Sequence, residues 1–585
     1  MSPDPLQMKA SVPKLSLGNV VTVGLKIFQL NFNDHFVRSL LSHLWLWLAI
    51  FGGGILAAVV IAIGVIINSA TGLSPFSPVV VLSIGVGLLL FLPALLYTLA
   101  RYTAVGGVMS RMGFNTLNHR VEPEELYRQT ILRHLWPYLG GLLLFFLGIG
   151  IVYGGCIGLA VLAYNLFEPI WATWKDQSDA QLQWTLLLVA VILILLFVLG
   201  LGLIAYYLTA RLWFFDTVLA IEAQHSAWQA FQRSWNITHG KGWAVATVMF
   251  IVTLVTLPIT LIASVLNIFV PIFGLITTIL FFPVWQAVKA VNYYELTAAR
   301  SGLLFDLQTL SSDPRRFLRR VAMQTPEGVE LDFALGGAGS RAFAWIIDQT
   351  ILYMVLTLLT LAGALIYAYV LFPVLIDRFP TLSDKDLNLW ALAIASTLGF
   401  AISNGYFILF ETLWRGQTPG KRFAKVRVIR DDGQPIGVKE AALRSFVGWF
   451  DLGFFWIGSI LILFNASEKR LGDIAAGTLV VQDEPISQTE RLSTFPEGFS
   501  TLTHDTVEVL LAQSNPVALS LDHYFVLQNF LSYRNNLSRA DCTQVTAQLA
   551  RQLRALLVPE SPERLGTIPD ENLVEAAYLV ARPKG

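Results

Sequence analysis

Arg341 and Asp348 stand seven residues apart in GSRAFAWIIDQTILYMVL, and Arg444 and Asp451 repeat that spacing in LRSFVGWFDLG. Seven residues make about two helical turns, so each pair points from one helix face. Glu411 closes the apolar run YFILFETLW about one turn from its polar end, and Asp473 follows Arg470 by three in EKRLGDIAAGTLVV. An aspartate at the centre of a membrane span costs about 2.5–3.5 kcal/mol, so such a group faces the bundle interior, paired or functional. Two chemistries fit. Carboxylates beside arginine can exchange a proton for a cation, or the charges can form an ion-pair network that fixes the arrangement of short helices and loops.

Between these clusters lies RGQTPGKRF, 415–423. Gly416, Gly420 and Lys421 give G-x-x-x-G-K, one residue short of a phosphate-binding loop. That loop needs a preceding strand, a following helix and Ser or Thr after the lysine. Here an apolar helix precedes, Arg422 stands in the hydroxyl position, and the strand-like AKVRV follows. Thr418-Pro419-Gly420 is therefore a turn leaving the membrane, with Lys421 and Arg422 placed near lipid phosphates or Glu411.

The elements that must carry these residues are membrane spans. The chain of 585 residues is 55% hydrophobic and only 14% charged, against about 25% charged in soluble domains. Apolar runs near 41–67, 78–100, 136–164, 184–210, 243–268, 271–290, 343–372 and 389–413 each approach or exceed the roughly 20 residues that cross a bilayer. A further run, 445–464, is a ninth span or a re-entrant pair broken around Asp451-Leu452-Gly453; re-entry keeps Lys469 and Arg470 on the side of the other basic loops. The fold expected is an all-α polytopic membrane protein of about eight transmembrane helices, with a small cytoplasmic β-sheet and a soluble helical tail.

Basic residues alternate between loops. Lys9, Lys14, Lys26 and Arg38 precede the first span, and the loops 101–135, 211–242, 293–341 and 414–444 are all basic, whereas 68–77 and 165–183 are not. The N-terminus and the tail are expected in the cytoplasm, and the protein in the cell (inner) membrane. Some forty mixed residues precede the first apolar run, so that run, and no cleavable leader, is expected to act as the membrane signal.

The first 300 residues read as three helical hairpins, followed by a linker over 301–324. HLW recurs at the mouths of spans one and three, and Trp243 opens span five, as interfacial aromatics do. Within 221–242, Ala227, Trp228, Phe231 and Trp235 have the spacing of an amphipathic helix lying on the membrane. This stretch resembles the E…A…RSW…G segment of the glycerophosphodiester phosphodiesterase membrane-domain proteins, which implies architecture and carries no catalytic residue. Ionisable groups are almost absent from these spans, and Lys289 is placed to snorkel from a span end. This half reads as a scaffold or a cavity for an apolar substrate.

SRAFAWIID, GQTPGKRFAKVRVIRDDGQPIG and KRLGDIAAGTLVV together resemble the signatures of the RDD family of membrane proteins, over 325–482. By position, Arg341, Asp348 and Asp473 are the arginine and two aspartates that name the family. The resemblance implies a presumed transport-related role; sodium/proton antiport is attributed to some members. From the residues themselves, 424–437 reads as strand, Asp-Asp-Gly turn and strand, with further short strands at 329–335 and 477–482, and one sheet is expected to knit the three segments together. Residues 483–585 regain charge and helical periodicity, with Arg534, Arg551 and Arg554 on solvated faces.

The balance of 40 basic and 40 acidic residues gives no reason to expect nucleic acid. Cys156 and Cys542 form no framework, the eight histidines no metal signature, and no loop carries a catalytic constellation. The expectation is a non-enzyme with no metal or cofactor, whose partners are membrane lipids, a cation or small substrate, and a protein bound through the tail. The alternative is a scaffold or assembly protein in which the charges are structural.

Overall fold

The computed structural model describes residues 15–71, 77–118, 122–133, 135–175, 180–222, 226–270, 272–297, 314–324, 330–379, 383–453 and 467–483, with 458, 461–462 and 465 between. In the tail it describes 539–557 and 568–581, with 507, 523–524, 526–527, 530–531 and 534. Lys9, Lys14, Arg120 and the linker positions 301–313 lie outside the described residues.

The first described element is a helix the sequence did not announce, α1 (Leu17–Leu30), capped by Ser16, whose side chain accepts from the Asn19 N–H. Then come α2 (Phe32–Ala70), α3 (Pro78–Leu117), α4 (Glu124–Arg133), α5 (Leu135–Lys175), α6 (Ala180–Leu212), α7 (Phe215–Ile221), α8 (Ala227–Ile237), α9 (Gly242–Phe269) and α10 (Ile272–Thr297). Successive long helices pack on each other, α2 on α3, α5 on α6 and α9 on α10. After two strands, β1 (Arg320–Gln324) and β2 (Glu330–Ala334), come α11 (Ala338–Arg378) and α12 (Asp384–Leu413). Among the described residues eight helices are long and apolar enough to span a bilayer, and the protein is an all-α polytopic membrane protein.

The short elements follow: α13 (Pro419–Phe423), β3 (Val426–Arg430), α14 (Val438–Gly453), α15 (Leu471–Ala476), β4 (Thr478–Gln482), and in the tail α16 (Arg539–Leu556) and α17 (Asp570–Ala581). The expected single sheet is two antiparallel ladders. β1 pairs with β2, and β3 with β4 from Val426↔Gln482 to Arg430↔Thr478. An isolated bridge, Leu335↔Val481, joins them. The expected hairpin after Asp431-Asp432-Gly433 shrinks to one bridge, Ile429↔Pro435. Proline has no N–H to extend a ladder, so β3 takes β4 as its partner.

That pairing decides the course of 438–477. α14 leaves the edge of β3, and the chain comes back to it, with the Asp431 N–H donating to the Gly477 carbonyl at 3.0 Å. A segment that departs and returns at one end cannot cross the bilayer once. The described ends of 438–477 thus lie at one sheet edge, as the re-entrant reading of 445–464 requires.

α1 packs against α9, α10 and α11, with Val21, Val23 and Ile27 fully buried. Two glycines let it in. A Cβ on Gly18 would lie 2.5 Å from the Ser340 Cα, and one on Gly24 would lie 2.7 Å from the Val288 Cα. Lys26, read as a charge outside the first span, instead pairs at 3.0 Å with the buried Glu468.

Two further segments acquire specific contacts. In α8 Phe231 is buried, while Trp228 and Trp235 are exposed; the Arg211 guanidinium lies 3.9 Å from the Trp235 ring centre. In the tail, Arg534 and Arg554 are not merely solvated: they pair with Glu575 and with Asp570 of α17.

Candidate functional site

Asp473 opens α15, where its carboxylate caps the backbone N–H of Arg470 at 3.2 Å. The fold then brings three guanidinium groups to it. Arg341 of α11 donates at 2.5 Å, Arg444 of α14 donates to the other oxygen, and Arg470 lies at 3.7 Å. Burial alone would raise the Asp473 carboxyl. The charges of Arg444, Arg341 and Arg470 outweigh it and hold the group well below the usual carboxylate range. Arg444 continues the network, with Nη1 donating to Thr478 of β4 at 2.9 Å and Nε to Glu411 of α12 at 3.3 Å. Glu411 also receives Lys421. Burial pushes the Lys421 ammonium below its ordinary range, and Glu411 offsets this only in part.

Asp348 is placed differently. It shares a helix with Arg341 but does not pair with it. Its carboxylate accepts from the Thr418 hydroxyl at 2.5 Å, the Gly420 N–H at 2.8 Å and the Tyr406 hydroxyl at 2.9 Å. All three donors are neutral, and among the described residues no cation lies within ion-pair distance of it.

The loop 415–423 supplies this cradle. Gly416 sits at φ +91°, and a Cβ there would lie 2.0 Å from the Val428 carbonyl oxygen, so both the backbone and the space call for glycine. Thr418 caps α13, and Pro419 follows at a position that needs no N–H. Gly420 packs against α11, and Lys421 reaches back to α12. The loop thus ties together the two helices carrying Asp348 and Glu411. Asp451, at the far end of α14, is fully buried, and its nearest cation is Arg470 at 3.9 Å.

These groups surround a chamber of about 110 Å³ lined by Arg341, Asp348, Glu411, Lys421, Arg444 and Arg470. Trp345, Phe407, Val426 and Val480 complete it, with Leu254 and Val255 of α9 from the first half of the chain. Asp451 and Asp473 do not line it. The buried Nη2 of Arg341 makes no hydrogen bond among the described residues.

Reading the sequence alone missed three participants. Tyr406 and Thr478 bear hydroxyls with no charge or motif to mark them. Asp216, in the apolar stretch RLWFFDTVLA, binds Lys289 through both oxygens at 2.9 Å with both side chains buried. Lys289 therefore does not snorkel to an interface. An acid and a base each alone in apolar helices was the available signal.

The ordered blocks around Arg341, the 415–423 loop and Asp473 coincide with the one region that comparison with known families picks out. Residues 335–477 match the RDD family model. The RDD segment thus contains both the Asp348 cradle and the Asp473 centre. An uncharacterized protein of Bacillus subtilis, YckC, is 33% identical over 87 residues, 14% of this chain and 56% of that relative. The chain thus spans about half the length of the curated relative it matches. No solved structure matches the chain. These comparisons lend no support to the glycerophosphodiester phosphodiesterase resemblance of the first half.

Proposed function

We propose that this is a multi-pass transport protein in which the chamber of the RDD segment handles a proton or cation through Asp348. The observation that carries this reading is the contrast between two buried carboxylates. Asp473 is saturated by arginines, whereas Asp348 is held by neutral donors on the wall of a cavity. A carboxylate so held keeps its capacity to take up a proton or a cation, and intramembrane acids that face cavities mark such pathways. Basic loops on the chamber side support a cytoplasmic opening, with the N-terminus and tail on that side of the inner membrane.

A second reading has its own support. The Asp473 centre ties α11, α14, α15 and β4 together and has the form of a structural clasp, as a scaffold protein would need. In that case truncating 483–585 releases a copurifying partner, and no flux accompanies the protein.

The test uses everted membrane vesicles carrying an acid-inside gradient, a pH-sensitive dye, and pulses of sodium or potassium chloride. Vesicles with the protein should release the gradient on one of these salts, and Asp348→Asn should abolish the response at unchanged protein level. Equal responses with and without the protein, or an unaffected Asp348→Asn, would overturn the transport reading.

A further inference from the structure

We propose that the hairpin of α2 and α3 holds a phospholipid of net negative charge, with the phosphate on Arg101 and one acyl chain in the groove between the two helices. The site lies outside the RDD segment and stands apart from the transport reading.

The groove, about 490 Å³, is lined by one face of each helix, with Trp45, Gly52 and Leu56 on α2 and Ala94, Tyr97 and Arg101 on α3. That volume is within the roughly 300–1,000 Å³ of ligand sites. Arg101 is its one charged residue among the described residues. Depth places Arg101 at a bilayer boundary. From Pro78, where α3 begins, to Arg101 is about 34 Å of helix, close to the roughly 30 Å of a hydrocarbon core. Before Arg101, Leu88, Leu89, Leu90 and Leu92 are exposed, and from Thr103 to Ser110 every residue is buried. Arg101 stands where α3 passes from lipid into protein. From Trp45 to Leu56 is about 16 Å of helix, roughly half the core and so the reach of one leaflet's chain. Leu48–Gly53 form a π-helical turn in α2, of the kind found at functional sites. Within 4 Å, an added Cβ on Gly52 would meet only the Leu48 Cδ1, at 3.6 Å, so a larger side chain there would take up space in the groove.

Charge selects the occupant. The Arg101 guanidinium lies 5.6 Å from the centre of the Trp45 ring and makes no ion pair or hydrogen bond among the described residues. The hairpin has no acid to offer it, since the sequence from His35 to Val121 contains no Asp or Glu. Tyr97, one turn away, also leaves its hydroxyl without a hydrogen bond among the described residues. Their neighbours are satisfied: the Thr98 hydroxyl donates to the Ala94 carbonyl at 2.9 Å, and the Tyr102 hydroxyl meets His43 at 3.3 Å. Two unused donors therefore stand at the mouth of an apolar groove. Guanidinium is suited to phosphate oxygens, and a lipid brings phosphate and chain together. A head with its own ammonium already neutralises its phosphate, so a net negative head gains more from Arg101. A second copy of this hairpin laid in the groove would bury Arg101 with no acid to meet it.

The experiment is photo-crosslinking of the full-length protein in phosphatidylcholine vesicles, with peptides mapped by mass spectrometry. The probes are a phosphatidylglycerol with a diazirine on one acyl chain and a phosphatidylcholine with the same chain; glycerol phosphate is the competitor. The phosphatidylglycerol probe should label 45–56 and 94–101 saturably, about fivefold more than its counterpart, as one basic side chain near anionic lipid is worth. Leu389 and Leu392 of α12 are exposed, and labelling there should not distinguish the heads. Arg101→Gln should erase the preference at 45–56, and Arg101→Lys should keep part of it. Gly52→Leu should lower phosphatidylglycerol labelling to the level of the phosphatidylcholine probe. If Arg101→Gln fails to fold, the two heads on the native protein and Gly52→Leu still decide. Equal labelling by both heads overturns the proposal, as does a preference unchanged in Arg101→Gln or Gly52→Leu. So does full displacement by glycerol phosphate, which would make the site one for a free phosphate. Absence of label from 45–56 with either probe would mean a protein partner covers the groove, and the proposal falls.

Discussion

The Gly420 backbone N–H donates to the Asp348 carboxylate at 2.8 Å across 72 positions of sequence. The first turn of α13 thereby holds an anion, as helix N-termini do, but the anion is the protein's own. The loop that looks like a truncated phosphate cradle is a cradle for an aspartate. Its tightness makes a prediction. A Cβ on Gly420 would lie 2.1 Å from the Ala344 carbonyl oxygen and 2.7 Å from the Asp348 carboxyl carbon. Backbone cannot yield as a side chain does, so Gly420→Ala should cost at least the ~1–3 kcal/mol of overpacking. Thermal unfolding in detergent checks it, with Gly405→Ala, which meets no atom within 4 Å, expected to leave the midpoint unchanged.

Thr418 has two roles at once, donating to Asp348 at 2.5 Å and accepting from the Lys421 N–H at 3.2 Å. Thr418→Val keeps the shape and removes both bonds. Loss of a cap costs about 0.5–2 kcal/mol, and a buried carboxylate left one donor short adds to it. Thr418→Ser should keep both bonds and recover most of the loss. Equal midpoints for Thr418→Val and the native protein would refute this role.

The Asp473 centre predicts a pH dependence. Its carboxyl is held below the ordinary range, so the unfolded chain binds the proton more readily than the folded one. Stability from this group is complete above the unfolded value, about 3.9, and drains as pH falls through the lower folded value. The midpoint should be insensitive to this group between pH 8 and 5 and fall below about pH 4. Asp473→Asn leaves three arginines under-paired, should cost ~3–5 kcal/mol at pH 7, and should flatten the acid limb. An acid limb of unchanged steepness in Asp473→Asn would assign the loss to other groups.

How far these relationships were legible in the sequence depends on what carries them. The spans follow from apolar length, which the bilayer imposes on composition. The return of the chain after 438–453 to the edge of β3 was legible because β4 had to meet β3 on one side. α1 was not, because its fourteen residues are too few for a span, and its burial depends on glycines meeting Ser340 and Val288 far along the chain. Asp348 stood out as an expensive charge. Its partners did not, since a backbone N–H and two hydroxyls leave no charge pattern to read. Asp216 and Lys289 lie 73 positions apart, and only the packing of α7 on α10 pairs them.

That pair offers a clean contrast between breaking and replacing a buried ion pair. Lys289→Met leaves the Asp216 carboxylate buried without its cation and should cost ~3–5 kcal/mol. Lys289→Met with Asp216→Leu removes both charges and should return close to native stability. Melting curves of the two variants in detergent decide the matter. If the double variant falls as far as the single one, the pair is needed for more than mutual neutralisation, and the chain's first half holds polar chemistry of its own.

α1 is the element most exposed to a single test. A Cβ on Gly24 would meet Val288 at 2.6 Å from Cγ2 and 2.7 Å from Cα. Gly24→Ala should therefore part α1 from α10, lowering the thermal midpoint and strengthening cleavage near the N-terminus in limited proteolysis. Val288→Ala in the same chain removes the Cγ2 contact but leaves the backbone contact at Cα. It should rescue little. Full rescue would mean that the side chain alone sets the approach, and that α1 can shift along α10 while the backbone contact relaxes. Because α1 also holds Glu468 through Lys26, the Gly24→Ala lesion should reach the RDD segment, and on the proposed transport reading Asp348-dependent flux should fall with it.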